Sequence, residues 1–336
     1  MSERQSDYAQ IGFLDDDTLA IFFNTAATSA ATPVSLRSLF LDSRTGSVLR
    51  AADWQADSLG SYFQPTMDGR FLWHMSKRGP LDWIERLALY TPDLKVAKER
   101  NAESHSLTLS HTRETMLLAR ESRSPTGWRN DIEIVDAASL DTIYALTDAD
   151  GSDNLTVYDN YNSLLVRTTR PLHSGRGEIS IQSIGKPPHV VYTSTDRNCY
   201  PHEAYFLTSN VLFVNQECPV WLLMTASGEV VHAEKMDKNE DIDQPFTTQP
   251  APSETSYDGK RFALLVSKRK AGLFEERALA HTVAQRVVVF DTDTKRQIFE
   301  YRIKPLPQQR PAVALSPGGN RLAVFSDGHL QVFAIQ

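Results

Sequence analysis

The sequence predicts an all-β fold built from seven repeats of a four-stranded antiparallel unit, on three observations. The first is the stretch Ala312–Ile335, which reads as three short strands joined by two tight turns. The second is that looser copies of this stretch recur along the chain. The third is a separate hairpin that recurs in step with them.

In the C-terminal stretch, Val313 and Leu315 lead into the turn Ser316-Pro317-Gly318-Gly319-Asn320. Leu322-Ala323-Val324-Phe325 then runs to Ser326-Asp327-Gly328, and Leu330, Val332, Phe333 and Ile335 form the third run. Pro fixes φ and Gly supplies positive φ, which is what tight hairpin turns demand. Earlier second strands begin near Leu19, Phe71, Met116, Leu164, Val211 and Phe262. Their spacing is roughly 45–60 residues, the length of a four-stranded blade. Each follows a turn rich in residues that take turn geometry cheaply: Asp15–Asp17, Met67–Arg70, Thr112–Glu114, Asn160–Asn162, Thr208–Asn210 and Tyr257–Lys260.

Third strands end in a small acidic or hydroxyl cluster that opens a fourth strand. Leu39–Asp42 precedes Thr45-Gly46, Leu87–Tyr90 precedes Pro92-Asp93, and Ile132–Asp136 precedes Ser139. Leu222–Thr225 precedes Ser227-Gly228, and Val287–Asp291 precedes Thr292-Asp293. Apolar alternation broken by such a cluster and then resumed is a hairpin. One four-stranded unit cannot bury its own faces, but seven stacked around an axis close as a β-propeller. The blades then run at about 9–54, 59–101, 105–149, 153–196, 203–237, 246–304 and 311–336, in a single domain over 1–336.

The turn Ser316-Pro317-Gly318-Gly319-Asn320-Arg321-Leu322, and more weakly Met67-Asp68-Gly69-Arg70-Phe71, resembles the SPDG+RL turn of WD40-like and YVTN-type propeller repeats. The resemblance covers nearly the full length and implies the fold. The Trp-Asp ending and Gly-His start of WD40 repeats are absent, so no WD40 scaffold role follows, and fold alone does not set function. In propellers of this kind the N-terminus often supplies the last blade's missing outer strand. Here the residues before Ala9 are barely enough at about 3.3 Å each. The expectation is imperfect closure, or a longer natural N-terminus.

Composition bounds the rest. Hydrophobic content of 41% and charged content of 23% are ordinary for a globular chain, and the net charge of -7 argues against bulk nucleic-acid binding. No apolar run reaches membrane-span length, and Met1–Asp7 is too polar for a signal core. The expected chain is therefore soluble, either cytoplasmic or extracytoplasmic with its signal removed. Cys199 and Cys218 fall on loops of one expected face and read either as one bridge or as two unpaired thiols.

Loops between second and third strands share one face of a propeller, and here they read as long: Asn24–Ser35, Ser76–Trp83, Glu121–Asn130, Thr168–Gly177 and Ser267–Gln285. Four carry cations. Lys77 and Arg78, Arg123 and Arg129, Arg170 and Arg176, and Lys268 to Lys270 with Arg269 cluster in an otherwise acidic chain. Guanidinium forks bind carboxylates and phosphates, and Trp83 and Trp128 on the same loops suit anchoring. The same residues also read as solvated charges, with the indoles folded over blade edges. His173 and His202 fall on this face, and a lone histidine is more often a hydrogen-bonded surface residue than a ligand.

Leu273–Ala284 reads as a three-turn helix with Phe274 and Ala278 on one side, a rim cap or a docking element. Asp148–Asn154 has the flavour of a calcium loop but lacks its register, and reads as an inter-blade turn. The histidines and cysteines show no metal spacing, and no nucleophile elbow, phosphate loop or dinucleotide fingerprint is present, so no cofactor is expected. The reading is a binding module that holds an anionic peptide, protein or small ligand on the basic, loop-rich face. The alternative is a propeller enzyme of lactonase, hydrolase or lyase type with its site at the central opening.

Overall fold

The computed structural model describes residues 9–24, 34–56, 62–78, 83–102, 106–110, 112–124, 127–148, 155–170, 177–196, 198–237, 239–242, 254–270, 281–307 and 311–336. Among them the fold is all-β, with strands in seven antiparallel sheets, a seven-bladed propeller built on four-stranded blades. The helix expected in the sixth blade falls largely on 271–280, outside the described residues. Second strands begin within one residue of each position expected from the repeats.

The chain divides into two compact units. The first gathers Met1–Ser104, Asp136–Asp141 and Pro307–Gln336. Its first sheet is β1 (Ala9–Phe13), β2 (Thr18–Asn24), β3 (Val34–Asp42) and β4 (Val48–Ala56). Its second is β5 (Tyr62–Pro65), β6 (Phe71–Arg78), β7 (Trp83–Tyr90) and β8 (Val96–Asn101). The other unit, His105–Val135 with Thr142–Leu306, opens with β9 (Ser106–Leu109), β10 (Thr115–Ser124), β11 (Gly127–Asp136) and β12 (Thr142–Asp148). The fourth sheet is β13 (Leu155–Tyr161), β14 (Leu164–Arg170), β15 (Glu178–Ser183) and β16 (His189–Thr193). The fifth is β17 (Pro201–Thr208), β18 (Val211–Gln216), β19 (Val220–Thr225) and β20 (Val230–Lys235). The sixth opens with two short pieces, β21 (Glu240–Ile242) and β22 (Glu254–Thr255), both paired to β23 (Arg261–Lys270), followed by β24 (His281–Asp291) and β25 (Arg296–Arg302). The seventh, in the first unit, has three strands: β26 (Ala312–Leu315), β27 (Arg321–Ser326) and β28 (His329–Ala334).

Strand alternation sends one row of side chains to each neighbouring sheet. In the first unit the facing rows of sheets one and two are aromatic: Phe22, Phe40, Phe63, Phe71, Trp73 and Tyr90 form one cluster with Trp54 against it. Phe71 and Tyr90 stack with centroids 5.4 Å apart, and the Trp54 indole N–H donates to Ser38 Oγ at 2.6 Å. In the other unit Val166, Ile179, Ile181, Phe206, Leu212 and Val214 join sheets four and five. Tyr205, Phe213, Trp221, Leu264, Phe262 and Phe290 join sheets five and six. Each such side chain, once covered, contributes about 1.5–3 kcal/mol.

The hairpin between first and second strands is one recurring turn. Thr66, Ser110, Ser256 and Ser316 each accept through the backbone carbonyl from the N–H three residues on, and each donates its own N–H across the turn. Gly69, Gly259 and Gly319 sit at the third-following position with φ of 76°, 69° and 70°. At the matching place in the third sheet stands Arg113, with φ 59°.

Two side chains clasp adjacent first strands. Gln10 on β1 accepts the backbone N–H of Phe63 on β5. Asp159 on β13 accepts that of Phe206 on β17, at 2.9 Å. Cys199 and Cys218 are joined as a disulfide, with Cα atoms 4.8 Å apart.

Candidate functional site

A cleft of about 560 Å³ lies within the second unit, where the fifth sheet meets the sixth. Its floor is the apolar row that the two sheets share: Trp221 from β19, Leu264 and Val266 from β23, and Val288 and Phe290 from β24. The Trp221 ring meets Phe290 edge to face, centroids 4.9 Å apart. The floor exists because β19, β23 and β24 carry near-continuous apolar runs, which a strand buried on both faces requires.

The walls are charged. Glu234, Lys235, Met236 and Asp237 line one side, ending β20 and continuing past it. Lys268, Gln285, Arg286, Arg302 and Lys304 line the other, with Glu240 at the head of β21. Arg286 is pinned between Glu240 at 3.1 Å and Glu300 at 3.4 Å. Arg302 pairs with Glu300 at 2.8 Å, and its hydrogen bond is the main reason the Glu300 carboxyl is held below the usual range. Lys268 reaches Asp237 at 3.6 Å. Gln285 donates to Ser267 Oγ at 3.0 Å, fixing the inner end of the wall.

Five cations against three carboxylates line this cleft in a protein of net charge -7. Glu300, behind the wall, offsets part of that excess through Arg286 and Arg302. Volume, apolar floor and a few placed charges are the makings of a ligand pocket. Trp221 and Phe290 are only 2% and 6% exposed, so what the cleft offers a ligand is chiefly its charged walls, where Lys235, Lys268 and Lys304 can pair carboxylates.

The ten residues expected at a basic, loop-rich face are placed as follows. Lys77 and Arg78 close β6, and Trp83 opens β7 opposite Arg78. Arg123 lies in β10, Trp128 and Arg129 in β11, and Arg170 ends β14. Arg129 pairs with Asp131 at 2.8 Å. His173 and Arg176 lie outside the described residues. Arg269 sits in β23 opposite Thr282 and next to Lys268, which lines the cleft.

Three of the five expected loops are shorter than read, which is a correction, whereas β2 ends at Asn24 with β3 beginning at Val34, and β14 ends at Arg170 with β15 beginning at Glu178, much as expected. β6 and β7 leave only 79–82 between them, β10 and β11 only 125–126, and β23 runs to Lys270. Ladder pairing carries these hairpins outward through polar residues such as Ser76, Arg123 and Ser124, which alternation of apolar residues alone does not reveal. The cleft residues Trp221, Phe290, Arg286 and Arg302 went unrecognised because each reads as ordinary strand content. Their common signal is the facing of β19 on β24, a long-range pairing.

The fold is that of the β-propellers. No model of a known protein family matches the sequence, and no curated protein matches it. Solved structures do. Prolyl oligopeptidase B from Galerina marginata is similar at 11% identity and TM-score 0.59, covering 98% of this chain, which spans about half (49%) of that one. The β-propeller domain of the Trilobed protease from Pyrococcus furiosus, described as having an open velcro topology, is similar at 10% identity and TM-score 0.53 over 96% of each chain. A chain of the mitotic checkpoint complex is similar at 13% identity and TM-score 0.52, over 100% of this chain and 92% of that one. At these identities the likeness is one of fold. Among the described residues no helix is long and apolar enough to cross a membrane.

Proposed function

We propose that this chain is a binding module that holds an acidic peptide segment in the cleft between its fifth and sixth sheets. The segment would set its carboxylates against Lys268, Lys235 and Lys304, with an apolar side chain beside the exposed Val283. The observation that carries this reading is the coincidence of an apolar floor with a cation excess in one cleft of about 560 Å³. Arg269 extends the cationic rim, and Arg123 and Arg170 are proposed as further contacts on the same reading. That a similar chain occurs in the mitotic checkpoint complex agrees with a role in protein interaction.

The test is a selection from a phage-displayed library of acidic peptides, followed by fluorescence polarisation on the peptides recovered. Val283 lines the cleft and is 41% exposed, so Val283→Trp fills the opening without burying a new group. Val283→Trp and the charge reversal Lys268→Glu are each expected to weaken binding about tenfold or more, a loss of about 1.4 kcal/mol. Their melting transitions should match the parent. Unchanged affinity in both variants sinks the assignment of the cleft. Arg123→Ala, Arg170→Ala and Arg269→Ala combined measures the wider basic rim in the same assay.

A further inference from the structure

The disulfide Cys199–Cys218 stands at the foot of one charged wall of the cleft. Cys218 lies in the short connection 217–219 between β18 and β19. Its neighbour Pro219 accepts the backbone N–H of Met236 at 3.0 Å, and Val220 pairs with Lys235. Lys235 and Met236 line the cleft together with Glu234 and Asp237. The outer end of the wall that carries Lys235 therefore hangs on the backbone beside Cys218. That backbone is tied down by the bond to Cys199, in the connection from β16 to β17, and by the Glu217 N–H, which donates to Tyr200 C=O at 3.0 Å.

The bridge is placed to open without unfolding the sheet. Both cysteines are half-buried and each has an exposed neighbour, Asn198 and Glu217, so a small dithiol can reach the sulfurs. The chain around them has other ties. Ser194 Oγ lies 2.8 Å from the Asp196 carbonyl oxygen and 2.7 Å from that of Cys199, and Asp196 pairs with Cys199 as an isolated β-bridge. The ladder between β17 and β18 begins at once, with Pro201 opposite Gln216. Beneath it lies the buried row of Tyr205, Phe213 and Trp221. Loss of the bridge thus falls on the connection 217–219 and on the wall it holds.

We propose that the Cys199–Cys218 bridge is a redox control on the cleft, closed to hold a ligand and opened by a dithiol to release it. The proposal rests on the reading of the cleft as an acidic-peptide site. A thiolate of the dithiol attacks one bridge sulfur, a mixed disulfide forms, and the other cysteine leaves as its thiolate. The dithiol's second sulfur then attacks the mixed bond, which closes the oxidised dithiol and frees the first cysteine. Two electrons pass from the dithiol to the bridge, and the dithiol's two protons end on the cysteine sulfurs. With the bond gone, the connection 217–219 gains freedom, the hydrogen bond from Met236 to Pro219 opens more often, and Lys235 loses its fixed place in the wall.

Two readouts on the full chain, oxidised and then reduced with dithiothreitol, test this. Without ligand, amide exchange at Met236 is expected to quicken about tenfold or more on reduction, while Phe213 and Val287 stay protected. The probe fluorescein-Glu-Asp-Glu-Val-Glu-Asp-Glu is expected to bind the reduced chain about tenfold more weakly, and to regain its affinity when the bridge is reoxidised. The double variant Cys199→Ser with Cys218→Ser should bind as the reduced chain does and ignore the dithiol. Reduction and reoxidation of the parent decide the matter where that variant does not fold. Unchanged exchange at Met236, once thiol titration shows the bridge open, overturns the proposal. So does equal probe affinity in the two states, or lost protection at Val287, which would make the bridge a general staple. Absence of probe binding to the oxidised chain sinks the cleft reading and the ligand release with it, whereas equal binding in both states sinks the redox control alone.

Discussion

At the scale of residues, a single buried carboxyl ties the stability of the fourth sheet to pH. Asp159 is almost fully buried on β13 and accepts from Phe206 N–H. Burial is the dominant influence and pushes its carboxyl up to about 7, against a smaller lowering by that hydrogen bond and by Asn160 N–H. As pH rises from about 4 to 7 the unfolded chain releases this proton and the folded chain keeps it, so stability falls across that window and stays lowered above it. The full loss is on the order of 4 kcal/mol. Asp159→Asn should remove it, so urea midpoints of variant and parent should diverge between pH 4.5 and 7.5, the variant becoming the more stable. Parallel curves would show that the carboxyl ionises freely in the fold. A lone Asp in an Asp-Asn-Tyr-Asn turn reads as turn chemistry, and only the burial of β13 reveals otherwise.

At the scale of elements, the turns were the most legible part of the molecule. Met67–Arg70, Tyr257–Lys260 and Pro317–Asn320 are hairpin turns at the expected places, because Gly at positive φ leaves few alternatives. Their glycines are not equivalent, however. A Cβ on Gly259 would stand 1.7 Å from Leu207 O in the fifth sheet, whereas one on Gly69 meets nothing within 4 Å. Gly69→Ala is expected to cost about 1–2 kcal/mol, the left-handed penalty alone. Gly259→Ala must also displace backbone, and thermal unfolding should show a loss at least about twice as large. Equal losses would mean that the fifth sheet yields freely at Leu207. The outward reach of β6, β10 and β23 was less legible, since polar strand extensions look like loop in a single sequence.

At the scale of the whole molecule, what could be read was the count of sheets, because the repeat is written locally. What could not be read was which distant residues meet. Arg113 and Glu254 show why: 141 residues apart, they pair at 3.3 Å with side chains only 8% and 17% exposed. Arg113 also lies over the Tyr257 ring, at 4.9 Å from its centre. It stands at the turn position that glycine holds in three other sheets, and its left-handed backbone costs about 1–2 kcal/mol. Arg113→Gly relieves that strain but leaves Glu254 buried without this partner, which typically costs 3–5 kcal/mol. Net destabilisation of about 2 kcal/mol or more is therefore expected in denaturant unfolding. Adding Glu254→Leu should recover much of it. A stable Arg113→Gly single variant would show that the pair tying the third sheet to the sixth carries no weight.

The clasp from Asp159 to Phe206 has a bearing on how the chain is made. The two residues are 47 apart in sequence. At ribosomal elongation rates of about 5–20 residues per second, the carboxylate emerges roughly 2–9 s before its partner amide. For that interval the side of β13 that meets β17 is uncovered, although β14 and the third sheet already flank it, and Asp159 stays in contact with water. Arrival of the fifth sheet is then the step that buries this carboxyl and shifts it toward its protonated form.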